Sequence, residues 1–229
     1  MEVPVLLVEF EGVIADTAAM RREALAESLA VEGITMTDAL ALVGAGYPTE
    51  DAVRRVRAAA GADADETAVE LGRLRAERAF ATRAGKGMSI TPDARAILER
   101  LGTCSRLALV TRASRREVEF VLDLAGLAEI FRPVIALEDA SPPKPAGAPY
   151  AAALARIGQL FPGQQLRALA VEDHLVGVRA ARAAGIACVA VGALPAHEAL
   201  EADAWLESIV DLTPERVRAL TGVSSGERR

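Results

Sequence analysis

Cysteine, lysine and aromatic residues are all scarce in this chain, and each scarcity removes a class of function. Among its 229 residues are 2 cysteines. Cys104 and Cys188 both stand in apolar, strand-like contexts, where a thiol fills core space rather than forming a disulfide. Aromatic side chains make up 3% of the sequence, too few for a surface on which bases stack. Of 26 basic residues all except Lys86 and Lys144 are arginine. That bias, with an abundance of alanine, reads as a coding preference, and it makes each lysine a position to inspect. No basic run gathers the charge that a phosphate backbone attracts, and the net charge is −6, so no nucleic-acid partner is expected. No apolar run approaches the roughly 18 residues of a membrane span, so no membrane partner is expected. The opening residues 1–8 carry neither a basic leader nor a cleavage site, so no signal peptide is expected and the expected compartment is the cytoplasm.

What remains is 52% hydrophobic and 25% charged, enough for one large α/β domain or a core with a smaller insert. Residues 3–8 form a short apolar run that ends in Glu9 and Glu11, followed by a turn at Gly12. This pattern marks a central parallel strand with acids at its carboxyl end. Residues 17–31, 38–43, 49–60 and 64–84 then read as helices, broken at Gly33, at 44–48 and at Gly61, with Thr49 as an N-cap. From Met88 the rhythm becomes strand–helix alternation, with strands at 106–111, 133–137, 168–171, 187–191 and 208–212. Helices fall at 91–101, 115–125, 149–157 and 176–184. Alternation of this kind specifies a parallel sheet covered on both faces. Residues 224–229 read as a frayed tail.

In such sheets ligands bind beyond the carboxyl ends of the strands. The candidates there are Glu9 and Glu11, Thr111 with Arg112 and Ser114, Lys144, and the pair Glu172 and Asp173. Carboxylates from two strand ends can hold a hard cation such as Mg²⁺. A threonine hydroxyl, backbone N–H groups and a lysine supply donors for a phosphate. His174 reads as a helix cap, and His174 with His197 lacks the spacing of a zinc site.

Four segments in order carry a resemblance. They are Val8-Glu-Phe-Glu-Gly-Val-Ile-Ala-Asp-Thr17, Ala108-Leu-Val-Thr-Arg-Ala-Ser114, Pro143-Lys-Pro-Ala-Gly-Ala-Pro-Tyr150, and the stretch that begins Ala170-Val-Glu-Asp-His174. Over almost its whole length the chain resembles the haloacid dehalogenase-like superfamily, in the branch of phosphoglycolate phosphatases and β-phosphoglucomutases. The resemblance implies a Rossmann-like α/β core at 1–15 and 88–229 and an all-helical cap at 16–87. It implies Mg²⁺-dependent hydrolysis of small phosphorylated metabolites. By that resemblance Glu9 takes the place of the nucleophilic aspartate and Glu11 that of the acid–base aspartate. Thr111 and Lys144 would act in catalysis and hold phosphate together with Arg112 and Ala113. Glu9, Glu11, Glu172 and Asp173 would face the metal, and Tyr47, in a loop similar to the specificity loop of the branch, would face the substrate.

The sequence departs from that pattern at Glu9 and Glu11. Each glutamate stem is one methylene longer than aspartate, which moves the oxygens by about 1.5 Å. The alternative is therefore a non-catalytic relative that binds a phosphorylated ligand or a protein partner. Resemblance also excludes. Phosphonate-cleaving relatives need a cap lysine, and none lies between Thr17 and Arg83. Mutases carry a hinge histidine where this chain has Arg21, so a simple phosphatase is the better match.

Overall fold

The computed structural model describes residues 2–223, and the expected tail at 224–229 lies outside the described residues. Its centre is β1 (Glu2–Val8), almost every residue of which is buried. Around it run β4 (Arg106–Val110), β5 (Val134–Ile135), β6 (Gln165–Glu172), β7 (Ala187–Val191) and β8 (Ala204–Leu206). Their order is β5-β4-β1-β6-β7-β8 and every pairing is parallel. Val8 lies opposite Leu109 on one side and Val171 on the other. Glu9, Thr111 and Asp173 therefore leave the sheet along one edge.

Successive side chains of a strand point to opposite faces, and here both faces are covered. Leu6, Val8, Leu109, Val171 and Val189 pack in one cluster with Leu98, Val118, Val121 and Val217. These come from α5 (Ala94–Gly102), α6 (Arg115–Leu124) and α10 (Pro214–Thr221). Val5, Leu7, Ala108, Val110 and Ala170 pack in the other with Tyr150, Ile157, Val178 and Ala181. Those belong to α7 (Ala148–Leu160) and α8 (Leu175–Ala183). Strands buried on both sides explain why these segments read as continuous apolar runs. Both cysteines are free and Cys188 is buried among this second set.

Between β2 (Ala15–Asp16) and β3 (Ser89–Ile90), which pair antiparallel, lie four helices. They are α1 (Ala18–Ala30), α2 (Asp38–Gly44), α3 (Thr49–Ala59) and α4 (Glu66–Ala84). Leu25, Leu29, Val53, Val56 and Val69 give them a separate apolar cluster, whereas Ala24, Ala79, Phe80 and Ala84 join the cluster of the sheet. Gly33 and Gly61 turn the chain at φ 77° and 74°, where a side chain would be strained. Asp65 caps α4 by accepting the Ala68 N–H at 2.9 Å.

Two local expectations need correcting. Thr49 is the first helical residue of α3 and Pro48 takes the cap position, since the fixed φ of proline suits the entry to a helix. The last strand is β8 rather than 208–212, where a 3₁₀ turn spans Ile209–Asp211. Among the described residues no helix is long and apolar enough to cross a membrane.

Candidate active site

The carboxyl edge of the sheet places one ammonium group among acids. Lys144 precedes α7 in a proline-bounded loop, and its side chain is 1% exposed. Its Nζ donates to Glu9 Oε2 at 3.0 Å, to Glu172 Oε1 at 2.5 Å and to the Val110 carbonyl at 2.7 Å. Three donors meet three acceptors, so the ammonium is saturated. The Tyr150 hydroxyl also donates to Glu172, and the Gly177 backbone lies so close to that carboxylate that a Cβ there would clash.

Burial works to raise the Glu9 carboxyl. The Lys144 charge, hydrogen bonds from Thr111 and Lys144, and the Arg112 charge outweigh it and hold the group below the usual carboxylate range. Glu172 goes the other way, raised by burial and by the neighbouring Glu9 charge against the pull of Lys144. Burial opposes charge on Lys144 too, but Glu172 and Glu9 raise its pKa overall. The surroundings of Glu9 thus favour its charged form, and its second oxygen accepts the Phe10 N–H at 2.8 Å.

Above Glu9 opens a cavity of about 930 Å³, enclosed by the sheet edge on one side and by α1, α3 and α4 on the other. Glu9, Glu11, Thr111, Arg112, Ala113, Asp173 and Tyr47 all line it. Lys144 and Glu172 do not. Lys144, expected to clamp a phosphate, lies beneath Glu9 with its three donors on Glu9, Glu172 and the Val110 carbonyl. Arg112 lines the cavity and donates to the Gly46 carbonyl in the 44–48 loop. In that loop Tyr47 stacks under the Arg55 guanidinium, 3.7 Å from the ring centroid. His174 caps α8 by accepting the Val176 N–H at Nδ1, 3.2 Å away. Burial and the Arg112 charge lower its pKa and favour the neutral ring.

The four carboxylates expected around a metal do not form one ligand set. Among the described residues no group of three or more His, Cys, Asp or Glu side chains is placed to hold an ion. The reason is their existing partners: Glu172 belongs to Lys144 and Tyr150, and Glu11 Oε2 is ion-paired with Arg21 Nε at 2.7 Å. Asp173 differs, having no ion-pair partner among the described residues. Its carboxylate packs on Gly12, which adopts φ 72° and has no room for a Cβ. Burial, then the charges of Glu172, Glu9 and Glu11, push Asp173 up to about 8. A carboxyl so short of positive charge, beside Glu9, fits a hard cation that takes one or two carboxylates and fills its shell with water and phosphate oxygens. Glu11 and Glu172 do not fit that role.

A pH dependence follows. Without added metal the folded chain keeps the Asp173 proton that the unfolded chain has released between the ordinary value of 3.8 and about 8. Stability therefore falls as pH rises through that window, by at most about 1.4 kcal/mol per pH unit from this group. Asp173→Asn is expected to flatten the dependence and to raise the urea midpoint at pH 8 relative to the unaltered protein. Parallel curves for the two proteins between pH 5 and 8 would refute the assignment.

Sequence reasoning missed the role of Arg21 and missed Glu117 altogether. Glu117, in the first turn of α6, is buried, lines the cavity and accepts from Arg21 Nη1. Ninety-six residues separate the two, and no local pattern links them.

A family model described as haloacid dehalogenase-like hydrolase matches residues 6–191. The chain belongs to this family. Validoxylamine A 7'-phosphate phosphatase of Streptomyces hygroscopicus subsp. limoneus is 28% identical over 212 residues, covering 91% of this chain and 95% of that one. CbbY of Rhodobacter sphaeroides, solved in complex with phosphate, superposes with a TM-score of 0.77 at 23% identity, over 92% of this chain and 96% of that chain. β-Phosphoglucomutase of Clostridium difficile does so with a TM-score of 0.81 at 15% identity, over 96% and 97%. At these identities the two structures establish the fold.

Proposed function

We propose that this haloacid dehalogenase-like protein is a Mg²⁺-dependent phosphatase of small phosphorylated metabolites, with residues 16–87 as a cap over a core formed by 1–15 and 88–229. The observation that carries the reading is Glu9: an ionised carboxylate at the tip of the central strand, open to the cavity, beside the Thr111 hydroxyl and above the Lys144 charge. The relative that hydrolyses a phosphate ester supports the same class of substrate.

A Glu9 oxygen attacks phosphorus, the ester bond to the leaving oxygen breaks, and Glu11 delivers a proton to that oxygen. Glu11 then takes a proton from water, whose oxygen attacks phosphorus and releases Glu9. From the core side Thr111, the Ala113 N–H and Arg112 line the cavity and would turn to the phosphoryl oxygens from their present acceptors, Glu9, the Thr111 hydroxyl and the Gly46 carbonyl. Lys144 keeps Glu9 ionised and fixes its direction from beneath. Asp173 and Glu9 would hold Mg²⁺, which when bound offsets phosphoryl charge. Tyr47 and its loop close the cavity over the rest of the substrate, excluding water during transfer.

The expected result is release of inorganic phosphate by purified protein with Mg²⁺ from at least one member of a broad panel of phosphate monoesters. No release across the panel sinks the reading. One observation favours the alternative, a non-catalytic phosphate-binding protein: both Glu9 oxygens already accept hydrogen bonds, from Phe10 and Lys144. Thermal stabilisation by panel members that are not hydrolysed would decide for it.

A further inference from the structure

The guanidinium of Arg21 joins three parts of the molecule. It projects from α1 and lies 4.6 Å from the centroid of the Phe80 ring of α4. Its Nε is ion-paired with Glu11 in the loop after β1 and donates to the Thr17 hydroxyl, and its Nη1 donates to Glu117 of α6. Among the described residues, Arg21 alone within 16–87 makes an ion pair with a residue outside that segment, and Glu117 is ion-paired to nothing else. Glu117 is buried, so this anchor is held in the protein interior and not in solvent, and burial raises its carboxyl against the opposing Arg21 charge.

Glu11 has an extra rotatable bond compared with the aspartate that its position would hold in the resembling pattern. A longer acid needs something to limit where its oxygens go. We propose that Arg21 is a positioning residue matched to the length of Glu11. Pinned by Phe80 and Glu117, it aims the Glu11 carboxylate along the cavity wall and ties that carboxylate to the cap. The pair was set by reach: Glu11 Oε2 meets Arg21 Nε at 2.7 Å, and aspartate at position 11 would fall short by about 1.5 Å. Restoring the shorter acid at this position therefore costs activity in this chain. The kinetic half of the proposal rests on the phosphatase reading; the mechanical half does not.

The test combines kinetics with amide hydrogen exchange. Arg21→Met is expected to lower kcat by about 10- to 100-fold, the size of effect an ångström-scale misplacement produces, with KM changed less than about threefold. Arg21→Lys recovers part of the loss and Glu117→Gln produces a smaller one. Glu11→Asp lowers kcat, and adding Arg21→Met to it lowers kcat little further, because both remove one interaction. In protein without substrate, exchange at residues 11–17 and 87–91 is expected to quicken about tenfold or more in Arg21→Met. It is expected to stay unchanged in Arg83→Met, a control whose ion pairs lie within the cap. Additive kinetic losses, a gain of activity in Glu11→Asp, or unaltered exchange at both segments overturns the proposal. Should Arg21→Met not fold, Arg21→Lys and Glu117→Gln carry the same exchange measurement. If the unaltered protein releases no phosphate, the phosphatase reading fails, and the exchange result still decides whether Arg21 ties Glu11 to the cap.

Discussion

Replacing Lys144 with methionine is expected to cost the protein about 3–5 kcal/mol of stability, the range seen when one partner of a buried ion pair is removed. Methionine fills most of the volume, so the loss is electrostatic. Glu9, Glu172 and the Val110 carbonyl keep their burial and lose the one cation they share. For a chain of this length each kcal/mol corresponds to roughly 2–4 °C in Tm, so a fall on the order of 10 °C is the result to look for in a thermal melt. Phosphate release should vanish with it, since an unpaired Glu9 takes up a proton. Lys144→Arg is not expected to rescue either property, because a planar guanidinium cannot meet three acceptors grouped around a compact ammonium. Adding Glu172→Gln to Lys144→Met should recover part of the stability and none of the activity. A Lys144→Met protein melting within about 2 °C of the unaltered one would mean that the buried acids are held by something else.

Glu9→Gln is the second large effect, and it separates chemistry from folding. Glutamine preserves the shape, but its one carbonyl oxygen can accept from Lys144 or from Phe10, and its NH₂ then faces the other donor. Lys144 retains Glu172 as its counter-charge. Stability should change by no more than about 1–3 kcal/mol, the range for one altered buried polar contact. Phosphate release should fall by about 10³-fold or more, since an amide oxygen does not replace a carboxylate nucleophile. Steady-state phosphate release and urea denaturation, measured on the same preparation, test both halves. Retention of a tenth or more of the activity would remove Glu9 from the nucleophile's role and leave water activation as the chemistry.

Much of the site was legible because the sheet is parallel and β1 is central. Apolar runs buried on both faces are visible in one dimension, and the polar residue after each run marks the carboxyl edge. That is how Glu9, Thr111 and Asp173 could be placed together without coordinates. Lys144 stood out by rarity, yet its saturation by three acceptors depends on β1, β4 and β6 arriving side by side, which no local pattern encodes. The error at 208–212 has a local cause. Ile209 and Val210 suggest a strand, but Ser208 accepts the Val210 N–H and Asp211 accepts the Ser208 N–H. Short polar side chains of this kind offer the backbone an alternative to a ladder. Arg21 and Glu117 were beyond reach for another reason: their meeting depends on how the inserted helices rest on α6.

The antiparallel pairing of β2 with β3 has an engineering consequence. Because Ala15 faces Ile90 and Asp16 faces Ser89, the two points at which the chain leaves and re-enters the sheet domain are neighbours about 5 Å apart. Any module whose own ends lie that close can be spliced there without stretching the sheet, at a closure entropy that grows only slowly with its length. Glu9 keeps Lys144 beneath it while the helices above are exchanged, whereas Glu11 loses Arg21, so a transplanted roof has to bring its own cation for that acid.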